Sequence, residues 1–304
     1  MKRKKNSLSA DIRRDWDLYL MLLLPLGFLL VFQYVPMGGL VMAFQDFDIF
    51  EGFWSSPFVG FANFRRLFAT SEFFSVLCNT LLISLYKIIF FFPIPILLAL
   101  MLNEVKNKAY KRTVQTIVYL PHFLSWVIIS GLLFDLLSSR GTLNRLTELL
   151  GGTRINFLME PGMFRTIVVA SSIWKEVGYS SIVFLAAISG IDPSLYEAAV
   201  VDGAGKIKQA LYVTLPGIAP MIVVMLLLRV GTIMDANSEQ IMAIYNPTVY
   251  RTGDVLGTYI YRTGLSNMEY SFAAAAGMFN SVVSFTMVAV CNWVSRTTAG
   301  RSLW

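Results

Sequence analysis

The sequence predicts an all-α, polytopic membrane protein with six transmembrane helices, on three observations. The 304-residue chain is 56% hydrophobic and only 14% charged, with a mean hydropathy of +0.61, far more apolar than an average soluble domain. Its apolar residues gather in runs of ~20 or more, enough to cross ~30 Å of hydrocarbon at ~1.5 Å per residue. No stretch shows the ~10-residue segments of alternating apolar and polar residues that mark a membrane barrel.

The runs extend from Leu18 to Val41, Phe74 to Leu102, Val114 to Leu137, Met163 to Ser189, Ile218 to about Met234, and Phe272 to Val294. They divide the chain into a cytoplasmic N-terminal segment (1–17), a six-span domain (18–295) carrying a polar loop at 190–216, and a cytoplasmic tail (296–304). Lysine and arginine fix the orientation. With the N-terminus inside, fourteen of them (among them Lys2 to Lys5, Lys106, Lys108, Lys111, Arg112, Lys206 and Lys208) lie on the cytoplasmic side and eight, including Arg65, Arg66 and Arg140, outside. Both termini are then cytoplasmic.

Several function classes fall away. The net charge of +6 has no basic stripe with interleaved aromatics; it is the cytoplasmic face of a protein in a lipid bilayer, not a nucleic-acid site. The basic N-terminus precedes a run too long for a secretory signal and without a cleavage site, so it is read as a retained first span. Cys78 and Cys291 lack CxxC spacing and nearby histidines, and the lone His122 follows Pro121 in the third run, where packing at a kink suits it better than catalysis. No catalytic constellation, metal site or GxxxxGK[ST] phosphate loop occurs, so the chain binds no cofactor and ATP is hydrolysed elsewhere.

The polar loop is the most informative stretch. Asp192-Pro193 supplies an N-cap with proline at the first helical position, Gly203 and Gly205 break the helix, and a second segment runs to Pro216, which begins the turn into the fifth span. The expectation is helix, turn, helix, with Ala198 and Ala199 small enough to settle into a groove on another protein. Glu197-Ala198-Ala199, Asp202-Gly203-Ala204 and Val213-Thr214-Leu215-Pro216 together resemble the cytoplasmic coupling loop of ATP-binding cassette importer permeases, with Val213 in place of isoleucine and Ala210 beside Leu211 where the family favours an aromatic.

A second stretch, Ala43 to Phe47 followed by Pro57 to Phe64, places Phe58, Phe61, Phe64, Leu67 and Phe68 at helical spacing with Asn63, Arg65 and Arg66 toward water, as in a helix lying in the membrane interface. With Tyr245-Asn246-Pro247, Asp254-Val255 and Thr258 to Leu265, the chain resembles the permeases of importers for complex oligosaccharides. The resemblance implies a heterodimer with a second, homologous permease subunit, two ATPase subunits that carry ATP and Mg, and an extracytoplasmic solute-binding protein. Glu197 is then the charged anchor to the ATPase and Gly203 the turn that sets the docking angle.

Charges inside the runs are expensive, about 2.5 to 3.5 kcal/mol each on insertion scales, and usually face a polar cavity. Lys87, Lys175, Glu176 and Arg229, with Asp235, Asn237, Glu239 and the polar groups of Trp174, Tyr179 and Asn280, are the candidates to line a sugar passage. Lys175 and Glu176 are adjacent and point ~100° apart, so each needs a partner on a neighbouring helix or on the other subunit. The implied mechanism is alternating access, the loop moving with the ATPase and carrying the fourth and fifth spans. An ion-coupled secondary transporter using Lys87, Lys175, Glu176 and Arg229 is the alternative, and it leaves the coupling pattern unexplained.

Overall fold

The computed structural model describes residues 14–299. Among them the chain is helical throughout, its one extended pairing an isolated bridge between Gln45 and Phe58. Six helices are long and apolar enough to cross a membrane: Trp16–Phe44, Ser71–Glu104, Trp126–Leu149, Pro161–Ser189, Lys206–Gly231 and Tyr270–Thr297. The chain divides into two compact units, one formed by residues up to Leu67 with Thr263–Met278, the other by Phe68–Arg262 with the residues from Phe279 onward.

In the first unit, the first span buries none of its apolar window within the chain. The helix Ala62–Ala69 comes after it. Asn63, expected to face water, instead donates to the carbonyls of Ala43 (3.1 Å) and Gln45 (2.9 Å), pinning the chain beside the bridge. Arg66 also has a local use, paired with Glu269 at 2.7 Å and stacked 4.7 Å over Phe272. Of the expected apolar face, Leu67 is buried, while Phe61 and Phe64 gather around Phe44.

In the second unit, two clusters pack the spans. Ile96, Ala99, Phe184, Ile188 and Ile218 join the second, fourth and fifth spans. Ile83, Phe164, Val168, Ala236, Ile241 and Ile244 join the second and fourth to the short helix Ser238–Ile244 that folds back after the fifth.

The third apolar run is two helices, Lys108–Tyr119 and Trp126–Leu137, where the sequence suggests one from Val114. Pro121 has no N–H to continue the ladder, the chain tightens into a 3₁₀ turn at Leu120–Phe123, and Leu124 is extended. Ser125 then caps the new helix, accepting from the Ile128 N–H at 3.3 Å. The break leaves carbonyls without helical partners, and in a membrane protein such groups must be satisfied within the protein. Lys175 of the fourth span meets that demand: its buried ammonium donates to His122 O (2.8 Å) and Leu124 O (2.5 Å) and lies 5.4 Å from the Trp126 ring centre. Beside it, Glu176 sits 3.1 Å from His122 Nδ1, and the His122 ring stacks on Tyr179 at 3.8 Å. The adjacent lysine and glutamate thus do not pair with each other, and both find partners on the broken helix.

Three helices contain a π turn ending two residues before a proline: Leu30–Tyr34 before Pro36, Lys87–Phe91 before Pro93, and Ala210–Thr214 before Pro216. The residue preceding each proline bonds five residues back, Val35 to Leu30, Phe92 to Lys87 and Leu215 to Ala210. A proline ring crowds the carbonyl four residues earlier, which is the middle residue of each wide turn, and the wider turn relieves that crowding without ending the helix. Pro216 therefore starts no turn into the fifth span, contrary to the sequence expectation. The helix continues from Lys206 to Gly231.

These contacts set the cost of two substitutions. Gly178 lets the fourth span touch the Lys108–Tyr119 helix so closely that a β-carbon would collide with the Val118 carbonyl; Gly178→Ala should cost about 1–3 kcal/mol, the range of an overpacked core. Lys175→Met should leave two carbonyls unpaired at about 1–3 kcal/mol each. Thermal unfolding of the purified protein checks both, and variants melting with the parent would refute the close approach and the cap respectively.

Candidate functional site

Beyond the fifth span the chain reverses through Ala236 and Asn237, both in left-handed conformation at φ 50° and 59°. For alanine this costs roughly 1–2 kcal/mol, and the bonds around the turn hold it there. The Asn237 side chain caps the helix Ser238–Ile244 through the Gln240 N–H (3.3 Å), and the helix buries Gln240, Ile241 and Ile244. Lys87 of the second span donates to Ala236 O at 2.9 Å and to Gln240 Oε1 at 2.8 Å. Gln240 is fully satisfied: Oε1 also accepts from Ser172 Oγ (2.8 Å), and Nε2 donates to Val168 O (2.7 Å) and Ser171 Oγ (2.8 Å). Ser84 Oγ donates to Ile233 O, closing the same joint. A buried amide with four good bonds and a lysine with two fix the folded-back helix to the second and fourth spans.

This joint walls a cavity of about 450 Å³. The second span contributes Ser84 and Lys87; the third-run break, Leu124, Ser125 and Trp126; the fourth span, Lys175 and Glu176; the fifth span and its turn, Arg229, Thr232, Asp235, Asn237 and Glu239. Seven of the ten cavity residues expected from the sequence therefore meet in one place. Trp174, Tyr179 and Asn280 do not line it. Trp174 faces a separate apolar groove with Ile129, Leu132 and Leu136, one residue being ~100° of helix away from Lys175. Tyr179 is spent on the His122 stack, and the buried Asn280 Oδ1 accepts no hydrogen bond among the described residues. Sequence reasoning missed Trp126 and Ser125, for which the serine before an apolar run was the available signal, and the anchoring role of Gln240, for which there was none.

The charges in the cavity differ in how they are held. Both lysines bond backbone carbonyls, Glu176 faces His122, and Asp235 Oδ1 accepts from Ser238 Oγ at 2.8 Å. Arg229 stacks over the Phe91 ring, its guanidinium carbon 5.1 Å from the centroid, and among the described residues no acceptor bonds it.

At the other end of the fourth and fifth spans, the 190–216 loop folds as helix, turn, helix. Asp192 Oδ1 accepts from the Ser194 N–H at 2.9 Å, which holds its carboxyl below the usual range, and Pro193 opens the helix Pro193–Val201. Gly203 ends it at φ +73°, with Gly203 N bonded to Val200 O (3.0 Å) and Ala204 N to Ala199 O (2.8 Å). These two bonds make a Schellman cap, which needs the left-handed residue that glycine supplies without strain. Tyr196 OH meets Thr214 Oγ1 at 3.0 Å and Lys206 pairs with Glu104 of the second span at 3.0 Å, tying the pair of helices to the bundle. Glu197 opens on a groove of about 500 Å³ shared with Asn103, Glu104, Lys106 and Lys206. Ala198 and Asp202 are exposed, Ala199, Ala204, Val213 and Leu215 are partly covered, and Pro216 is exposed. Val201 (87%), Ile207 (77%) and Tyr212 (76%) stand out into the surroundings. Tyr212 supplies an exposed aromatic one residue beyond Leu211, beside the position where the sequence pattern lacks one.

Residues 92–299 match the binding-protein-dependent transport system inner membrane component family. The chain is 41% identical, over 97% of its length and 92% of the relative's, to the polygalacturonan/rhamnogalacturonan transport system permease protein YteP of Bacillus subtilis, and 40% identical, over 94% and 91%, to Protein LplB of the same organism. Among solved structures it superposes on a chain of a bacterial ABC transporter involved in the import of the acidic polysaccharide alginate, with a TM-score of 0.89, 47% identity and coverage of 96% and 99%. A second structure of a bacterial alginate ABC transporter, in complex with an alginate pentasaccharide-bound periplasmic protein, gives 0.90 at 46% identity, over 98% and 100%. With a match over two thirds of its length and relatives similar from end to end, the chain belongs to the family of binding-protein-dependent transport system inner membrane components.

Proposed function

We propose that this chain is a permease subunit of an ATP-driven importer of oligosaccharides, acidic ones foremost, working by alternating access. One observation carries the reading: a single helix, Lys206–Gly231, joins an exposed helix pair to a polar cavity within the bundle. The helix pair has the cap, turn and small residues of a docking element, and its exposed Val201, Ile207 and Tyr212 are the apolar groups a protein partner would cover. The substrate class rests on relatives whose named cargoes, alginate and polygalacturonan, are acidic polymers.

In this reading both termini are cytoplasmic, and the 190–216 loop sits in a socket on an ATPase subunit that holds ATP and Mg. A second homologous permease completes the passage as a heterodimer, two ATPase subunits drive it, and an extracytoplasmic solute-binding protein delivers the sugar. ATP hydrolysis belongs to those partners. Glu197, Ala198 and Ala199 form the contact face, while Asp202, Gly203 and Ala204 set its angle. Val213, Leu215 and Pro216 carry its motion into the fifth span. An ion-coupled relay through Lys87, Lys175, Glu176 and Arg229 is disfavoured because both lysines are fixed on backbone carbonyls.

Affinity purification from the native membrane tests the assembly. The parent chain should bring down a second permease, an ATPase and a solute-binding protein. Glu197→Lys or Ala198→Trp, both at exposed positions, should lose the ATPase by about 2 kcal/mol or more, ~30-fold in affinity, while still inserting in the membrane. Unchanged ATPase recovery in both variants would overturn the docking assignment. Gly203→Pro, which removes the left-handed turn, should abolish uptake with insertion intact, and normal uptake would refute the role of the turn.

A further inference from the structure

We propose that Arg229 reads the carboxylate of a uronic-acid residue as the oligosaccharide passes through the cavity, and that Lys87 and Lys175, though they line the same space, take no part in that recognition. The inference rests on the importer reading above and names the group within it that selects for charge.

Three cations face the cavity, and their bonding separates them. Lys87 is committed to Ala236 O and Gln240 Oε1, and Lys175 to His122 O and Leu124 O. Each holds a break in the backbone, and withdrawing either ammonium toward a ligand would strand a main-chain carbonyl. Arg229 has no such engagement. Its guanidinium is oriented by the face of Phe91 at 5.1 Å, and among the described residues no acceptor occupies its donors. A planar fork of N–H groups matches a carboxylate in bidentate fashion, where a lysine offers only a point charge. Aromatic stacking fixes the plane of the fork without consuming its edge.

The acidic residues around it suit the remainder of a sugar. Glu176 is held at His122, 3.1 Å away, and Asp235 at Ser238, 2.8 Å away. They supply negative charge to the cavity without hydrogen-bonding Arg229, so its donors stay open. Glu239 lines the same cavity with an exposed side chain. Carboxylates accept from hydroxyl groups and repel other carboxylates, so among the described residues Arg229 is the cavity group both open and suited to a uronate.

The test uses the whole transporter in proteoliposomes, with tetragalacturonate and its full methyl ester each supplied pre-bound to the solute-binding protein. Uptake of the acid should fall roughly 10- to 100-fold in Arg229→Gln, the loss of a charge-assisted pair, and the ester by less than about threefold. Arg229→Lys, which keeps the charge but not the fork, should fall between, and it serves as the readout if the glutamine variant does not assemble. Equal losses for acid and ester, or no loss for either, would overturn the assignment. An unaltered transporter that moves neither compound would overturn the acidic-oligosaccharide reading on which the proposal rests, a result separate from a change of selectivity in the variants.

Discussion

Much of this structure depends on two ammonium groups that end broken helices. In a bilayer an unpaired carbonyl has no water to turn to, so a chain that interrupts its helices must bring its own donors. Lys175 serves the break after Pro121, and Lys87 serves the reversal at Ala236. Without the first, the Trp126–Leu137 helix has no reason to start where Ser125 caps it. Without the second, the left-handed turn and the short helix behind it lose their tie to the second span. Both lysines come from unbroken neighbours, so each break is held by an element that is itself continuous. The cavity is the space these two repairs leave between them.

The same economy governs the prolines. Pro36, Pro93 and Pro216 sit in apolar helices and yet terminate none of them, because a wide turn precedes each. Pro121 does interrupt its helix, and there the chain leaves helical geometry for several residues. No wide turn precedes Pro121: an α-helix runs to Tyr119 and a 3₁₀ turn holds the proline. Leu124 is extended and Ser125 restarts the ladder, with a neighbouring lysine available to take up the stranded carbonyls.

This contrast explains which features are legible in the sequence. Asp192, Pro193 and Gly203 act through local backbone chemistry, and the loop folds as their order implies. The six apolar runs are legible because length and hydropathy are properties of single segments. Pro216 misleads because one residue specifies either a stop or a π turn according to its surroundings. Asn63 misleads because its acceptors lie 18 and 20 residues away. Seven of the cavity residues can be named from their charge or position, since a charge in an apolar run demands an explanation. Trp174, Tyr179 and Asn280 carry no such demand, and helical phase sends two of them to other neighbours. The role of Gln240 depends on serines and a lysine brought together from two other helices, which no local pattern records.

In the importer reading proposed above, the helix Lys206–Gly231 acts as a lever. Its 26 residues make a rod of about 39 Å at the usual rise, with no break between the exposed loop and the cavity wall. A tilt of ~5° about one end of such a rod moves the other by ~3 Å, about the length of a hydrogen bond. Arg229 stands near the far end and the exposed helix pair at the near one. A small rotation of the rod is thus large enough to make or break a contact with a bound molecule.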